Sequence, residues 1–155
     1  MRTDVASKLI RAPAPAVYRA FTTAIAMETW LPPADMTGRM LAFDFRAGGS
    51  YRMQLAYATP RHKPGKTSAD SDEVEVRFIR LVPDERIEQA VRFDSGDPAF
   101  RGEMRMTWRL EPVPGGTRVT VRCENVPAGI RREDHDAGLQ ATLANLARFV
   151  EAAGA

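Results

Sequence analysis

His135 is the side chain of this chain best suited to moving a proton, because an unperturbed imidazole titrates near neutrality. It sits in Arg131-Arg132-Glu133-Asp134-His135-Asp136-Ala137-Gly138-Leu139, a run that continues to Val150 with helical periodicity. At about 100° per residue, Leu139, Leu143, Leu146 and Val150 share one stripe, with Phe149 at its edge. The same arithmetic brings His135 and Thr142 onto that stripe and sends Ala141, Ala144, Asn145, Arg148 and Glu151 to the other side. Against an apolar partner, this stripe offers only two polar side chains. His135, in the first turn, would stand at the mouth of a cavity as a hydrogen-bond partner or an acid/base. Alternatively, it stays in solvent or caps a neighbouring loop. Thr142 can face a ligand or bond back to a helix carbonyl. Glu133, Asp134 and Asp136 complement the positive helix N-terminus rather than forming a catalytic carboxylate pair. Gly138 costs a helix interior about 1 kcal/mol relative to Ala, which either close helix–sheet approach or room for a ligand would explain.

Other chemistries find little support. His62 and His135 are the only histidines, and no Cys/His spacing suggests zinc, so no metal and no cofactor are expected. Cys123 falls mid-strand on an apolar face and reads as an inert core thiol. No glycine-rich phosphate loop is present. Gly48-Gly49 reads as a hairpin turn, and Asp44 with Arg46 as an outer-face pair.

A sheet must position these groups. Residues 4–11 read as a first strand, ended by Pro13 and Pro15, which permit a short helix over 15–23. A second short helix near 25–30 brings in Ile25, Met27 and Trp30 before Pro32-Pro33 stops it. From Met40 the period becomes two. Leu41, Phe43 and Phe45 share a face, as do Tyr51, Met53, Leu55 and Tyr57 after the glycine turn. Residues 74–82 break alternation at Phe78-Ile79, which suggests a bulge or two-sided burial. Ile87, Gln89, Val91 and Phe93 follow on one face. Over 103–111, Met104, Met106, Trp108 and Leu110 oppose charged neighbours; Pro114-Gly115-Gly116 then turns the chain into Val119, Val121 and Cys123. The alternation predicts an antiparallel sheet covered on one side, hence an α+β fold. The long polar segment 58–73 reads as a mobile loop or a lid over a pocket.

The inward face would carry Phe43, Tyr51, Met53, Val91, Phe93, Met104, Met106, Trp108 and Val121. A Met-and-aromatic wall suits variable apolar ligands, and equally an ordinary core. Gln89 is the polar exception and needs a partner from protein, water or ligand. Tyr51 and Trp108 have polar handles that could serve the same end.

Length and composition set outer limits. The 155 residues suit one domain spanning 1–155, burying roughly two-thirds of its unfolded surface. Hydrophobic residues at 44% and charged residues at 27% are ordinary for a globular protein. The net charge of +2 comes from interleaved signs with no basic tract, which argues against nucleic-acid binding. A lone cysteine, no signal-like start and no apolar segment of spanning length make a cytoplasmic protein without membrane insertion the expectation.

The segment Phe43-Asp44-Phe45-Arg46-Ala47-Gly48-Gly49-Ser50-Tyr51 resembles the hairpin of the START-like (SRPBCC) superfamily. Within it, the resemblance is to the branch named after the C-terminal domain of the activator of heat-shock protein 90 ATPase. In the same order come Ile10 to Phe21 with Trp30, Val82-Pro83-Asp84-Glu85-Arg86-Ile87, Gly115-Gly116-Thr117, and Gly138-Leu139 with Leu143 and Leu146. Leu139 departs from the Trp that many members carry after the helix glycine. The resemblance implies a helix-grip fold, a curved sheet of six to seven strands wrapped around the C-terminal helix with an apolar cavity between them.

It does not imply one activity, since such folds host many functions. The cavity set expected here is Trp30, Phe43, Tyr51, Met53, Gln89, Val91, Phe93, Met104, Met106, Trp108, Val121, His135, Leu139, Thr142, Leu143 and Leu146. The leading expectation is binding of a small apolar or aromatic molecule. The alternatives are a cyclase- or hydrolase-type enzyme, with His135 as acid/base and Tyr51 or Gln89 positioning substrate, and a co-chaperone-like binder of a chaperone partner, which rests on the family name alone. A homodimer stays open.

Overall fold

In a computed structural model, residues 2–33, 36–57, 71–93, 97–100 and 102–153 are described. The chain runs β1 (Thr3–Ile10), α1 (Ala14–Arg19), α2 (Ala24–Trp30), β2 (Met36–Phe43), β3 (Ser50–Tyr57), β4 (Ser71–Val82), β5 (Arg86–Phe93), a single 3-10 turn (Pro98–Phe100), β6 (Met104–Val113), β7 (Gly116–Glu124) and α3 (Arg132–Ala153). The strands form one curved antiparallel sheet in the order β1-β7-β6-β5-β4-β3-β2. This α+β arrangement, with the long α3 held against the sheet, is a helix-grip fold.

Alternation decides which face of each strand is buried. In β7, Thr117, Val119, Val121 and Cys123 are inaccessible while Arg118 and Arg122 are exposed. A proline fixes the start of α1: Pro13 is extended and Pro15 lies in the first turn, where its missing N–H costs nothing. Thr23 caps α2 by accepting from the Ala26 N–H at 3.2 Å. The closest backbone approaches of α3 are to β1, α1 and α2, so the helix is anchored at one side of the sheet.

Two aromatic clusters fill the interior. Phe21, Trp30 and Trp108 meet edge-to-face, with centroids 5.0, 5.1 and 5.9 Å apart. The Trp30 indole N–H donates to the Ala20 carbonyl at 2.8 Å, satisfying its polar edge. Phe43, Phe45, Tyr51 and Phe78 form the second cluster, edged by Tyr18.

The structure revises several boundaries. β2 begins at Met36 rather than Met40, and its register shifts between Met40 and Ala42. That bulge turns Leu41 out to solvent while Phe43 stays half-buried. Phe45 follows the strand, yet still packs on Phe78 at 5.0 Å. β4 starts at Ser71, so its first residues belong to a strand and not to the long loop; the rest of that expected loop or lid, residues 58–70, lies outside the described residues. The irregularity expected near Phe78 is a register shift between Phe78 and Arg80. Arg46 pairs with Asp44 at 2.7 Å on the exposed face.

Candidate functional site

The central strands and the first half of α3 line an open cavity of about 560 Å³. Cross-strand register arranges its wall in rows. Met53, Val74 and Phe93 form one row; Tyr51, Val76, Val91 and Met104 form the next. Gln89, Met106, Cys123 and Asp4 form a third, which runs from the central strand β5 to the edge strand β1. Trp108 belongs to a fourth row with Ile87, Val121 and Ala6. Met27 from α2 and Leu31 just after it also line the space, as do Phe100 and Ile130 from the two segments at the rim. Those segments are tied by the Gly129 N–H donating to the Ala99 carbonyl at 2.7 Å. A Cβ at Gly129 would fall 2.9 Å from that carbonyl oxygen, so the approach requires glycine.

Eleven of the expected residues line this cavity: Tyr51, Met53, Gln89, Val91, Phe93, Met104, Met106, Trp108, His135, Leu139 and Thr142. Five are elsewhere. Trp30 is wedged between Phe21 and Trp108, Phe43 belongs to the second aromatic cluster, and Val121, Leu143 and Leu146 are solid core. The helix has two inward stripes, one packed in the core and one lining the cavity, where its sequence pattern suggests a single stripe. Leu139, Leu143, Leu146, Ala147 and Val150 are its buried stripe. The cavity is met by Arg131 just before the helix and by Asp134, His135, Gly138, Ala141 and Thr142 on it, a stripe rotated by roughly 120° from the first. Ala141, expected on the far side, therefore faces the cavity. Gly138 faces it as well, and a Cβ there would meet nothing within 4 Å. Its absent side chain leaves open space and serves no close helix–sheet contact.

Few polar groups interrupt the apolar lining. The Trp108 indole N–H donates to Gln89 Oε1 at 3.2 Å. Because indole is donor-only, the amide oxygen must face it, and the Gln89 NH2 has no partner among the described residues. Tyr51 is buried, and burial raises its phenol pKa above the ordinary value, so it stays protonated. The Thr142 hydroxyl bonds back to the Gly138 carbonyl at 2.9 Å and is occupied. Cys123 lies under the sheet surface; burial and the nearby Asp4 charge push its thiol up to about 12, which makes it a poor nucleophile.

His135 neither frays nor caps a loop. Its Nδ1 lies 2.7 Å from Asp4 Oδ2, joining the first turn of α3 to β1. Arg2 donates to the same carboxylate oxygen at 3.1 Å, and Arg132 stands 3.4 Å from the other. Burial opposes the charge on Asp4, but hydrogen bonds from His135 and Arg2 together with their charges outweigh it and hold the carboxyl below its ordinary value. Sequence reasoning passed over Asp4. The available signal was its place in β1, two residues before the buried Ala6 and in the inward register; its partner lies 131 residues away.

A second groove of about 650 Å³ lies between α2, β2 and the last turns of α3. Its polar side chains are already committed: Glu28 accepts from the Met40 N–H at 2.6 Å, Asn145 donates to the Pro32 carbonyl at 3.2 Å, and Arg148 donates to Asn145. Among the described residues no cluster of His, Cys, Asp or Glu could hold a metal ion. No helix there is long and apolar enough to cross a membrane.

A curved antiparallel sheet gripping a C-terminal helix over an apolar cavity defines a START-like (SRPBCC) domain. Residues 11–151 match the family model described as activator of Hsp90 ATPase homolog 1-like protein, and the chain belongs to that family. It is similar to a crystal structure of a protein from Chromobacterium violaceum, with 32% identity, 96% of each chain covered and a TM-score of 0.85. A solution structure of an AHSA1-like protein from Aeromonas hydrophila shares the fold at 21% identity and TM-score 0.75, with 99% of this chain and 94% of that one covered. A crystal structure from Mesorhizobium loti does so at 20% identity and TM-score 0.72, with 97% of each covered. No curated protein matches the sequence.

Proposed function

We propose that the chain binds a small apolar or aromatic molecule in the cavity between the sheet and the first half of α3. The observation that carries this reading is an apolar space of about 560 Å³, a volume typical of small-molecule sites, whose interior polar groups are few. The Met53, Met104 and Met106 side chains give the wall adaptable, polarisable surface. Trp108 in the wall serves as a built-in reporter. Native mass spectrometry of protein purified from its own host is expected to reveal a retained molecule. Titration with a lipid and aromatic panel is expected to change Trp108 fluorescence saturably. No retained molecule together with no saturable ligand would sink the reading.

A second reading is favoured by one contact, the 2.7 Å pairing of His135 with the buried Asp4. A carboxylate that holds one imidazole nitrogen orients the other for proton transfer. In a cyclase- or hydrolase-type reaction, His135 would carry the proton and Tyr51 or Gln89 would position the substrate. Unchanged kcat/KM in His135→Ala on an identified substrate would remove that role.

A further inference from the structure

The hydrogen-bonding polarity of the cavity specifies more than apolar character. Asp4 is inaccessible to solvent, with its carboxyl held below the ordinary value by its neighbours, so it is an acceptor at neutral pH. Its Oδ2 lies 2.7 Å from His135 Nδ1, which must therefore carry a proton. In the neutral ring that proton leaves Nε2 as a bare acceptor. Nε2 has no protein partner among the described residues, and His135 is one of the residues lining the cavity. On the sheet the polarity is opposite. Trp108 occupies the amide oxygen of Gln89, leaving its unpaired NH2 group to donate.

Asp4 and Gln89 are the two polar members of one cross-strand row, Asp4-Cys123-Met106-Gln89, which Phe78 of β4 continues beyond Gln89. The two are three strand spacings apart, on the order of 14 Å along the sheet. Met106 lines the apolar stretch between them.

We propose that Asp4 is a positioning residue that fixes His135 as a hydrogen-bond acceptor, and that the cavity takes a neutral, elongated apolar molecule with a hydroxyl donor at the His135 end and a carbonyl-type acceptor at the Gln89 end. This rests on the binding reading above and specifies its ligand. Against the neutral ring, a carboxylate at Nε2 would meet a lone pair rather than a donor. The charged groups around the imidazole are Arg2 just before β1, Asp4 from β1, Arg132 and Asp134 from α3, and Arg131 just before that helix. Arg132 and Arg2 are engaged with Asp4.

The first test needs no ligand. Nitrogen-15 correlation spectra of the histidine-labelled protein at about pH 8, where an ordinary imidazole is neutral, are expected to show His135 protonated on Nδ1 alone. An Nε2–H tautomer or a persistent imidazolium overturns the proposal. Asp4→Ala is expected to move the signal toward the Nε2–H form that a free histidine side chain favours; an unchanged tautomer in that variant also overturns it. Should the variant not fold, the wild-type spectrum still decides the tautomer.

The second test compares three probes: a naphthol bearing an acetyl group on its far ring, the methyl ether of that compound, and the same naphthol with ethyl in place of acetyl. The hydroxyl ketone is expected to bind about tenfold more tightly than either, one hydrogen bond being lost in each comparison. Gln89→Leu should abolish the preference for acetyl over ethyl while keeping that for hydroxyl over methoxy. Equal affinities for all three overturn the ligand class but leave the cavity reading intact. Failure of these probes and of the wider panel overturns both, whatever the tautomer.

Discussion

The two halves of α3 share one sequence pattern and do opposite work. From Leu143 to Val150 the helix is core: Leu143, Leu146, Ala147 and Val150 are all buried, and Asn145 locks onto the Pro32 carbonyl. From Arg132 to Thr142 only Leu139 is buried, and the face lining the cavity includes a glycine, an alanine and a back-bonded threonine. The second half spends large side chains on close packing; the first substitutes small ones and so leaves space. A cavity here results from missing side-chain volume beside an anchored helix. The anchor at the open end is electrostatic, the Asp4–His135 contact, where the closed end uses leucine.

This contrast can be broken or sharpened by measurement. Leu146→Ala should cost the most, about 3 kcal/mol, since a fully enclosed leucine leaves a void that its neighbours cannot fill. Leu139→Ala, at the cavity edge, should cost roughly half as much because space beside it already exists. Urea unfolding of both variants checks this, and equal losses would erase the distinction.

Asp4→Ala comes next, with a loss of about 1–3 kcal/mol as His135 and Arg2 lose their shared acceptor. The sign of its pH dependence follows from the lowered carboxyl. The contribution of Asp4 is complete above its ordinary value of 3.8 and is lost as pH falls through the lower folded value. The gap between wild type and variant should therefore be constant near neutrality and close only in strong acid. A gap that closes between neutrality and pH 5 would show that another group holds the contact.

Gly138→Ala should stabilise the fold by up to about 1 kcal/mol, because helix propensity improves and the new methyl meets nothing. Thermal melts read this directly, and destabilisation would mean that the first half is packed after all. The smallest effect is expected at Cys123: its buried, strongly raised thiol should resist labelling until the protein unfolds.

Much of the architecture is legible in the residue pattern. Alternation in residues 103–124 marked β6 and β7, and the leucines at 139, 143 and 146 marked the buried helix face, because local periodicity and burial are two aspects of the same geometry. Leu41 misled, since a bulge changes the face by one residue without leaving a mark in the apolar pattern. The cavity residues were harder. Trp30, Phe43, Val121, Leu143 and Leu146 point inward as expected, but an inward side chain lines a void only if nothing opposite reaches it. That depends on facing elements, which no single-strand pattern encodes.

Sequence by itself determined the alternating strands, the two proline-bounded short helices, the apolar stripe of α3 and the polar residues able to act within it. These depend on near neighbours and on backbone sterics. Tertiary structure alone decided that Asp4 meets His135, that Trp108 claims the oxygen of Gln89, and that the cavity opens beside the leucine stripe and not beneath it. Those outcomes depend on how far one side of the sheet holds the helix from the other, a distance set by the whole fold.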